Sequence, residues 1–333
     1  MKKHKICKIL LVILAIFLCV AFYELLGICV AYKKQPEVSN TTKKETKNGS
    51  WNECSENTER AVIIEKNPEA LLQRVRLIKN AKKEIILSTF AFQSDESGKL
   101  ILGALHDAAD RGVHIRLLVD GMESWIDMEG NPYFYGLSSH ENVEIKLYNK
   151  ANPLKPWKMM GRMHDKYLIA DGKRYILGGR NTYNYFLGDF PGHKNYDRDV
   201  LVVCDEPEKE NSVNQLLEYF ETIWEQEDSG YFHDNKKLAN RKSVKNAVLE
   251  LQNGYQKYFE ENKERICDTD YTDETFETEK IALVSNPIHT GSKEPVVWYQ
   301  LGELMKNAKN RVKIHTPYII CNDTVSYTHL TLP

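Results

Sequence analysis

The stretch Arg162–Asn181, RMHDKYLIADGKRYILGGRN, decides how the middle of this chain folds. Two short apolar runs lie on either side of Asp171-Gly172, a dipeptide typical of tight turns, so the stretch predicts a β-hairpin. His164 and Lys166 are two residues apart at its start, and an extended backbone places such residues on one face. The pattern therefore predicts a hairpin that presents an imidazole beside an ammonium group.

The return strand of this hairpin ends in groups that suit a bound phosphate. Gly178 and Gly179 lack side chains, which would let an anionic group approach the backbone closely, and Asn181 adds an amide donor. An imidazole can attack phosphorus or transfer a proton near neutral pH. Lys166 and Asn181 could stabilise charge on the non-bridging oxygens. This chemistry needs no metal, and we expect no cofactor.

Outward from the hairpin, apolar strands alternate with amphipathic helices. This alternation predicts an α/β sandwich with a mixed or largely parallel sheet. The predicted helices are 68–81, 98–109 and 216–224, and the predicted strands are 85–92, 113–119, 143–148, 167–170, 175–177 and a strand that begins at Asp199.

A helix–strand unit occurs twice in the sequence. Leu77–Phe92, LIKNAKKEIILSTFAF, is similar to Leu304–Ile319, LMKNAKNRVKIHTPYI, and both contain K-N-A-K at the helix end. The similarity predicts a duplicated architecture. A second copy of the hairpin would then fall beyond Pro333, so we expect the sequence to be truncated within its second half.

The N-terminus predicts a membrane anchor. Basic residues 2–8 precede an apolar run over 9–32, close to the roughly 20 residues that cross a bilayer. A cleaved signal peptide has a shorter apolar core, of about 7–15 residues, so a retained single-pass anchor is favoured. The basic head favours an external catalytic domain, although lysines that follow the run oppose this orientation. Residues 33–60 are polar and predict a flexible linker.

Bulk composition excludes some classes of function. The 333 residues carry 45 basic and 47 acidic side chains, a formal net charge of −2, which gives no global attraction to nucleic acid. The seven cysteines have no C-x-x-C spacing and no accompanying histidine cluster, so neither a disulfide framework nor a zinc site is predicted.

The spacing His164-x-Lys166-x4-Asp171-x6-Gly178-Gly179-x-Asn181 matches the HKD signature of the phospholipase D superfamily. The remainder of the soluble region resembles its cardiolipin synthase branch, through Leu117–Gly121 (LLVDG), Tyr196–Val200 and Leu216–Trp224. The resemblance implies the phospholipase D-type α/β/α sandwich, with each half contributing one motif to a central site.

Residue roles follow from the same resemblance. It implies that His164 attacks phosphorus to form a phosphohistidine, while the histidine of a second motif protonates the leaving alcohol. Asp199 is assigned to orient His164. Asp171 belongs to the catalytic motif, but its place at the turn indicates a structural role. Lys166, Gly178, Gly179 and Asn181 are expected to bind the substrate phosphate.

These expectations divide the chain into a basic head (1–8), an anchor (9–32), a linker (33–60), a complete first half (61–227), a charged helical connection (228–280) and the start of a second half (281–333). The expected activity is that of a membrane-anchored phosphodiesterase or phosphatidyltransferase acting on phospholipids. The fragment itself is expected to be inactive, because the missing C-terminal sequence would supply the second motif. The alternatives are a homodimeric single-motif phosphodiesterase or nuclease, completed by a dimer partner, and a catalytically silent membrane-tethered binding domain.

Overall fold

The computed structural model describes residues 2–34, 36–49, 59–207, 211–233 and 235–314. Within these residues, nine strands form one sheet in the order β8-β4-β3-β2-β5-β6-β7-β1-β9. The strands are β1 (Arg60–Ile64), β2 (Glu84–Thr89), β3 (His114–Asp120), β4 (Val143–Tyr148), β5 (Tyr167–Ala170), β6 (Arg174–Gly178), β7 (Asp199–Val203), β8 (Ser229–Tyr231) and β9 (Phe276–Glu277).

Ten α-helices accompany the sheet in the described part of the chain. They are α1 (Lys2–Ala31), α2 (Asn40–Lys47), α3 (Asn67–Asn80), α4 (Glu96–Asp110), α5 (Gly121–Asp127), α6 (Pro132–Ser138), α7 (Ser212–Trp224), α8 (Lys242–Glu261), α9 (Lys263–Cys267) and α10 (Val296–Asn307). The helices and strands predicted between residues 68 and 224 therefore form, with ends shifted by a few residues.

The sheet is mixed, as the sequence predicts. Strands β2, β3 and β4 are parallel, whereas β5 runs antiparallel to β2 and begins an antiparallel series through β6 and β7 to β1. Helix α4 connects β2 to β3, which is the usual connection between parallel neighbours. The antiparallel strands instead follow one another through short turns and loops.

Two hydrophobic cores cover the two faces of the sheet. One contains apolar side chains of α3, α4, α6 and α8, and the other contains α7, with Phe220 and Trp224 packed on Tyr167, Tyr175 and Val202. The chain is therefore an α/β/α sandwich. Since α7 is the principal helix on its face, it also limits the space beside the start of β5.

The segment expected as a charged helical connection (228–280) packs as part of this sandwich. Strand β8 pairs with β4 at the sheet edge. Helix α8 buries Leu251, Tyr255 and Phe259, and it approaches α4 so closely that a Cβ at Gly103 would lie 2.7 Å from the Leu251 carbonyl oxygen. The apolar stripe on α8 is more extensive than the charge-rich sequence suggested.

The hairpin forms as the sequence predicts. β5 and β6 pair antiparallel from Tyr167↔Leu177 to Ala170↔Arg174. Asp171 and Gly172 have φ angles of +55° and +62°, and the Lys173 amide donates to the Ala170 carbonyl at 3.0 Å. Two successive positive φ angles define a type I′ turn, whose twist matches that of the paired strands.

Helix α1 is long and apolar enough to cross a membrane by length and composition, with a candidate span at Lys5–Ala31. The segment treated as a flexible linker contains helix α2. The Ser39 hydroxyl caps this helix by accepting from the Thr42 amide at 3.1 Å, while Glu294 accepts from both residues. These bonds give the polar sequence a fixed contact that its composition does not reveal.

The proposed duplication is visible only in part. Helix α10 covers the first part of the second unit, as α3 does in the first. Residues 308–314 after it have no regular secondary structure, whereas β2 follows α3. Thr316-Pro317-Tyr318 and the rest of the second unit lie outside the described residues.

Candidate active site

The site lies at one edge of the sheet because the strand directions bring several chain segments there. The parallel strands β2 and β3 end at Thr89 and Asp120 at this edge. β5 runs the opposite way, with Tyr167 paired to Ser88, so the residues just before β5 reach the same place. Ligand sites in such sheets commonly lie beyond the carboxyl ends of parallel strands.

His164 and Lys166 both line a pocket at this edge, with a volume of about 370 Å³. They lie in the extended segment before β5. The His164 ring contacts the edge of Phe90 with ring centroids 4.6 Å apart, and the Lys166 ammonium lies 5.2 Å from the same ring's centroid. Lys166 also donates to the His164 carbonyl oxygen at 2.6 Å. Phe90, directly after β2, thus orients both groups.

The environment lowers the pKa of both basic groups. Partial burial, followed by the charge of Lys166, lowers the pKa of His164 below its ordinary value. Burial lowers the pKa of Lys166 to about 8. The lowered values favour a neutral, nucleophilic imidazole at pH 7 beside an ammonium that is still mostly protonated.

Arg162 adds a second cation to the pocket. Its guanidinium donates to both carboxylate oxygens of Asp120, at 2.6–3.0 Å, and lies 5.0 Å from the centroid of Phe90. The Asp120 carboxylate also accepts from the amides of Met122 and Met163. A buried aspartate at the end of β3 therefore fixes the arginine beside His164.

The pocket is completed by α7 and by the chain before α10. Tyr219 of α7 donates to the Asp165 carboxylate at 2.7 Å, and burial raises the pKa of Asp165. Lys293 and Asn286, from the chain before α10, also line the pocket. The pocket thus gathers an imidazole, three cationic side chains and one carboxyl with a raised pKa, a set suited to a substrate with an anionic phosphate.

The structure corrects the assignment of Asp199. Its buried carboxylate forms ion pairs with Arg74 at 2.9 Å and Arg180 at 3.2 Å. Neither of its oxygens accepts a hydrogen bond from His164. Two guanidinium groups buried beside β7 hold this carboxylate, so its contacts are those of a structural residue.

The two glycines accommodate carboxylates of the protein itself. A Cβ at Gly178 would lie 2.0 Å from an oxygen of Asp199, and one at Gly179 would lie 2.1 Å from an oxygen of Asp197. Gly178 also lines the pocket, and its amide donates to the Lys166 carbonyl at 3.1 Å. The missing side chains therefore admit Asp197 and Asp199, and the expected approach of a substrate phosphate to this backbone stays a prediction.

The two remaining motif residues connect the hairpin to β2. The Asp171 carboxylate accepts from the amides of Lys82, Lys83 and Glu84 at 2.7–3.0 Å, in keeping with the structural role assigned to it. The buried Asn181 accepts from the Ala91 amide at 3.2 Å, and it is not among the described residues that line the pocket. Its expected contact with phosphate stays a prediction.

Sequence reasoning missed several residues that line the pocket or hold the side chains that do. Arg162 and Asp165 stood within the quoted hairpin stretch, and Asp120 stood within LLVDG, but none had a recognisable pattern of its own. Phe90 resembled an ordinary strand residue. An apolar strand that ends at the same sheet edge as a catalytic hairpin was the available signal for Phe90.

Comparison with known proteins identifies the class of this domain. Residues 74–224 match the family model described as "Cardiolipin synthase, PLD-like domain". Together with the sandwich and the His164 pocket, this match identifies the segment as a phospholipase D-like domain. Cardiolipin synthase C of Escherichia coli K12 is 29% identical over 171 residues, which cover 47% of this chain and 34% of that protein.

Other relatives are similar over comparable regions. An uncharacterised protein of Helicobacter pylori strain J99 is 30% identical over 212 residues, covering 59% of this chain and 39% of that protein. The chain thus spans about two fifths of that relative's length. Among solved structures, NucT from Helicobacter pylori has a TM-score of 0.41 at 16% identity and covers 52% of this chain and 99% of that one. The phosphatidylserine synthase of Haemophilus influenzae Rd KW20 has a TM-score of 0.44 at 16% identity, and the match covers 66% of this chain and 48% of that one.

Proposed function

We propose that this protein is a membrane-anchored phosphodiesterase or phosphatidyltransferase that acts on phospholipids through a phosphohistidine on His164. The observation that carries the proposal is the convergence of His164 and Lys166, with Arg162, on one pocket. The match to a cardiolipin synthase-type domain supports a phospholipid as the substrate.

In the first step, the neutral imidazole of His164 attacks phosphorus. A P–N bond forms while the bond from phosphorus to the leaving oxygen breaks. Negative charge on the non-bridging oxygens is stabilised by Lys166 and Arg162, whose cationic groups already face the pocket. Phe90 restrains the imidazole, so little reorganisation is needed before attack.

The leaving oxygen takes a proton from a general acid as it departs. By resemblance to the superfamily, this acid is the histidine of a second motif, supplied either by further sequence of the same protein or by a second copy. In the second step, the same group deprotonates water or an acceptor alcohol. Attack of that oxygen on phosphorus breaks the P–N bond and regenerates neutral His164. Water gives hydrolysis, and an alcohol gives phosphatidyl transfer.

Helix α1 would hold this site at the surface where its substrate is concentrated. Within its candidate span of 27 residues, an 18-residue stretch has a mean hydropathy of 2.9. A helix of this length and composition suits a bilayer about 30 Å thick. We propose a single-pass anchor, with an external catalytic domain.

The test is turnover by membranes from cells that express the gene with His164→Ala. Labelled phosphatidylglycerol is supplied, and the products are separated by thin-layer chromatography. We expect loss of both phosphatidic acid and transfer products, because the substitution removes the imidazole nitrogen that is proposed to attack phosphorus. His193→Ala, at an exposed histidine outside the pocket, is the matched control and should retain activity.

Retained turnover in the His164→Ala membranes would contradict the mechanism. Single-stranded DNA is offered in parallel to test the nuclease alternative. Cleavage of DNA by the unaltered protein, without turnover of phosphatidylglycerol, would contradict the lipid assignment.

A further inference from the structure

A loop of the catalytic domain packs against the C-terminal part of α1. The Tyr23 hydroxyl donates to the Leu154 carbonyl at 3.0 Å. Gly27 lies so close to the loop that a Cβ there would be 2.5 Å from Cγ of Pro156. We call residues 152–161 the interfacial loop. The contact places it beside the last turns of the apolar helix, where that helix would leave a bilayer.

A second contact fixes the same end of α1. The Tyr32 hydroxyl donates to the Thr290 carbonyl at 2.7 Å, and the Ser292 hydroxyl donates to the Ala31 carbonyl at 3.0 Å. Gly161, at the end of the interfacial loop, packs on Thr290 with no room for a Cβ. The helix end, the interfacial loop and the chain near residue 290 therefore form one packed unit.

The interfacial loop exposes large apolar side chains. Leu154 is 78% exposed, Met160 57% and Trp157 45%. Three such side chains on one short loop are costly in water, since each leaves apolar surface unburied. Tryptophan beside the end of an apolar helix is typical of the membrane–water interface.

Basic side chains surround this apolar surface. Lys33 and Lys34, directly after α1, and Lys155 in the interfacial loop are all exposed. Lysines at the end of a membrane helix are attracted to the anionic headgroups of the bilayer surface. Apolar side chains with adjacent lysines match an anionic bilayer in chemistry as well as in position.

A cavity of about 560 Å³ adjoins both this unit and the pocket that contains His164. Tyr32, Met160 and Trp298 are among the residues that line it. Arg162, Asn286 and Lys293 line both this cavity and the pocket that contains His164. A headgroup that entered beside Tyr32 would thus meet cationic side chains on its way to the imidazole.

We propose that the interfacial loop is a second membrane-contact element, which rests on an anionic bilayer surface beside the end of α1. A phospholipid headgroup then reaches His164 through the cavity beside Tyr32. The route depends on the proposed function for its substrate, whereas the loop contact can be measured without turnover.

The experiment measures quenching of tryptophan fluorescence by brominated lipids in vesicles that contain the full chain. The signal of Trp157 is the difference between the unaltered chain and Trp157→Phe. We expect Trp157→Phe to remove a measurable part of the bromolipid-dependent quenching. Trp224→Phe is the matched control, because Trp224 is buried on α7 and its removal should leave the quenching unchanged. Equal quenching in the chain with and without Trp157 would overturn the proposal.

The lipid preference is tested with vesicles of phosphatidylglycerol or phosphatidylcholine. We expect stronger quenching of Trp157 in phosphatidylglycerol, and loss of this difference when Lys33, Lys34 and Lys155 are replaced by glutamine. The control replaces three exposed lysines of α8 by glutamine, which makes the same change in charge; these are Lys242, Lys245 and Lys257. A preference that survives the first replacement, or one that the α8 replacement also abolishes, would contradict a specific anionic contact.

Repeating the quenching with His164→Ala separates this proposal from the proposed function. The loop contact should persist in that variant, whether or not the unaltered chain turns over phospholipid. If membranes from cells that express the gene also fail to turn over phospholipid, quenching without turnover would leave the loop proposal standing and remove the catalytic one. Turnover without quenching of Trp157 would remove the loop proposal and leave the catalytic one standing.

Discussion

Two buried aspartates beside the β5–β6 hairpin form similar ion pairs in different surroundings. Asp199 begins β7 and pairs with Arg74 and Arg180, and all three side chains are at most 5% exposed. Asp120 ends β3 and pairs with Arg162, whose side chain is 24% exposed and faces the pocket. The chemistry of the two pairs is alike, so solvent access separates the structural cluster from the arginine that can meet a substrate.

The largest expected effect tests the structural side of this comparison. Among the described residues, Asp199 is the carboxylate that pairs with both Arg74 and Arg180, so Asp199→Asn removes the ion-pair partner of two buried guanidinium groups. Breaking a buried pair in this way costs about 3–5 kcal/mol. We expect a loss of that size in the free energy of unfolding, measured by denaturant titration in detergent with Trp224 fluorescence.

Asp205→Asn is the control for this measurement. Asp205 pairs with Arg174, but its side chain is 72% exposed. Exposed pairs contribute about 0–1 kcal/mol, so the control should be nearly neutral. If Asp199→Asn were equally neutral, the Arg74–Asp199–Arg180 cluster would not be the structural element described above.

The next effect tests the functional side. Arg162→Ala removes a cation from the pocket, and we expect about a hundredfold loss in kcat/KM, or roughly 2.7 kcal/mol of transition-state stabilisation. The loss of unfolding free energy should be smaller than for Asp199→Asn, because Asp120 keeps its backbone donors at Met122 and Met163. Turnover is measured in membranes and the free energy of unfolding in detergent, and both are compared between Arg162→Ala and Asp199→Asn.

Arg198→Ala serves as the matched arginine variant, since Arg198 is half exposed and pairs with Glu65 outside the pocket. It should leave turnover intact. Should Arg162→Ala cost more unfolding free energy than Asp199→Asn while turnover stays normal, the roles assigned to the two pairs would be reversed.

The smallest effect concerns pH. Lys166 has a pKa lowered to about 8 by burial and stabilises phosphate only when protonated. Its protonated fraction falls as pH rises, so we expect activity to drop about tenfold between pH 7 and pH 9. In Lys166→Arg the cation persists at all these pH values, since a guanidinium has a pKa above 12. The alkaline limb of the pH–rate profile should then move out of range, even if overall activity is lower.

The acid limb offers an internal control for the pH measurement. It belongs to His164, whose pKa is lowered from its ordinary value of 6.5. The imidazole therefore stays neutral to a lower pH than a free histidine would. This limb should be the same with lysine or arginine at position 166. An alkaline limb that stays near pH 8 in Lys166→Arg would show that another group titrates there.

Much of the fold could be predicted because its signals are local. Asp171-Gly172 predicts a turn that requires positive φ, and the structure has it at both residues. Alternation of strands and helices predicts the sandwich. Helix α8 was underestimated, since its buried stripe is interrupted by charged residues and its partner α4 lies far away in sequence.

The sequence by itself determined the hairpin, the neighbouring His164 and Lys166, and an apolar N-terminal segment long enough for a membrane. Each depends on residues close together in the chain, where backbone geometry follows from a few side chains. Only the tertiary structure decided which carboxylate faces which cation. Asp199 was expected to orient His164, but strand pairing brings it to Arg74 and Arg180, while the end of β3 brings Asp120 to Arg162. Contacts of this kind depend on the register of the sheet and on burial, neither of which a short sequence motif records.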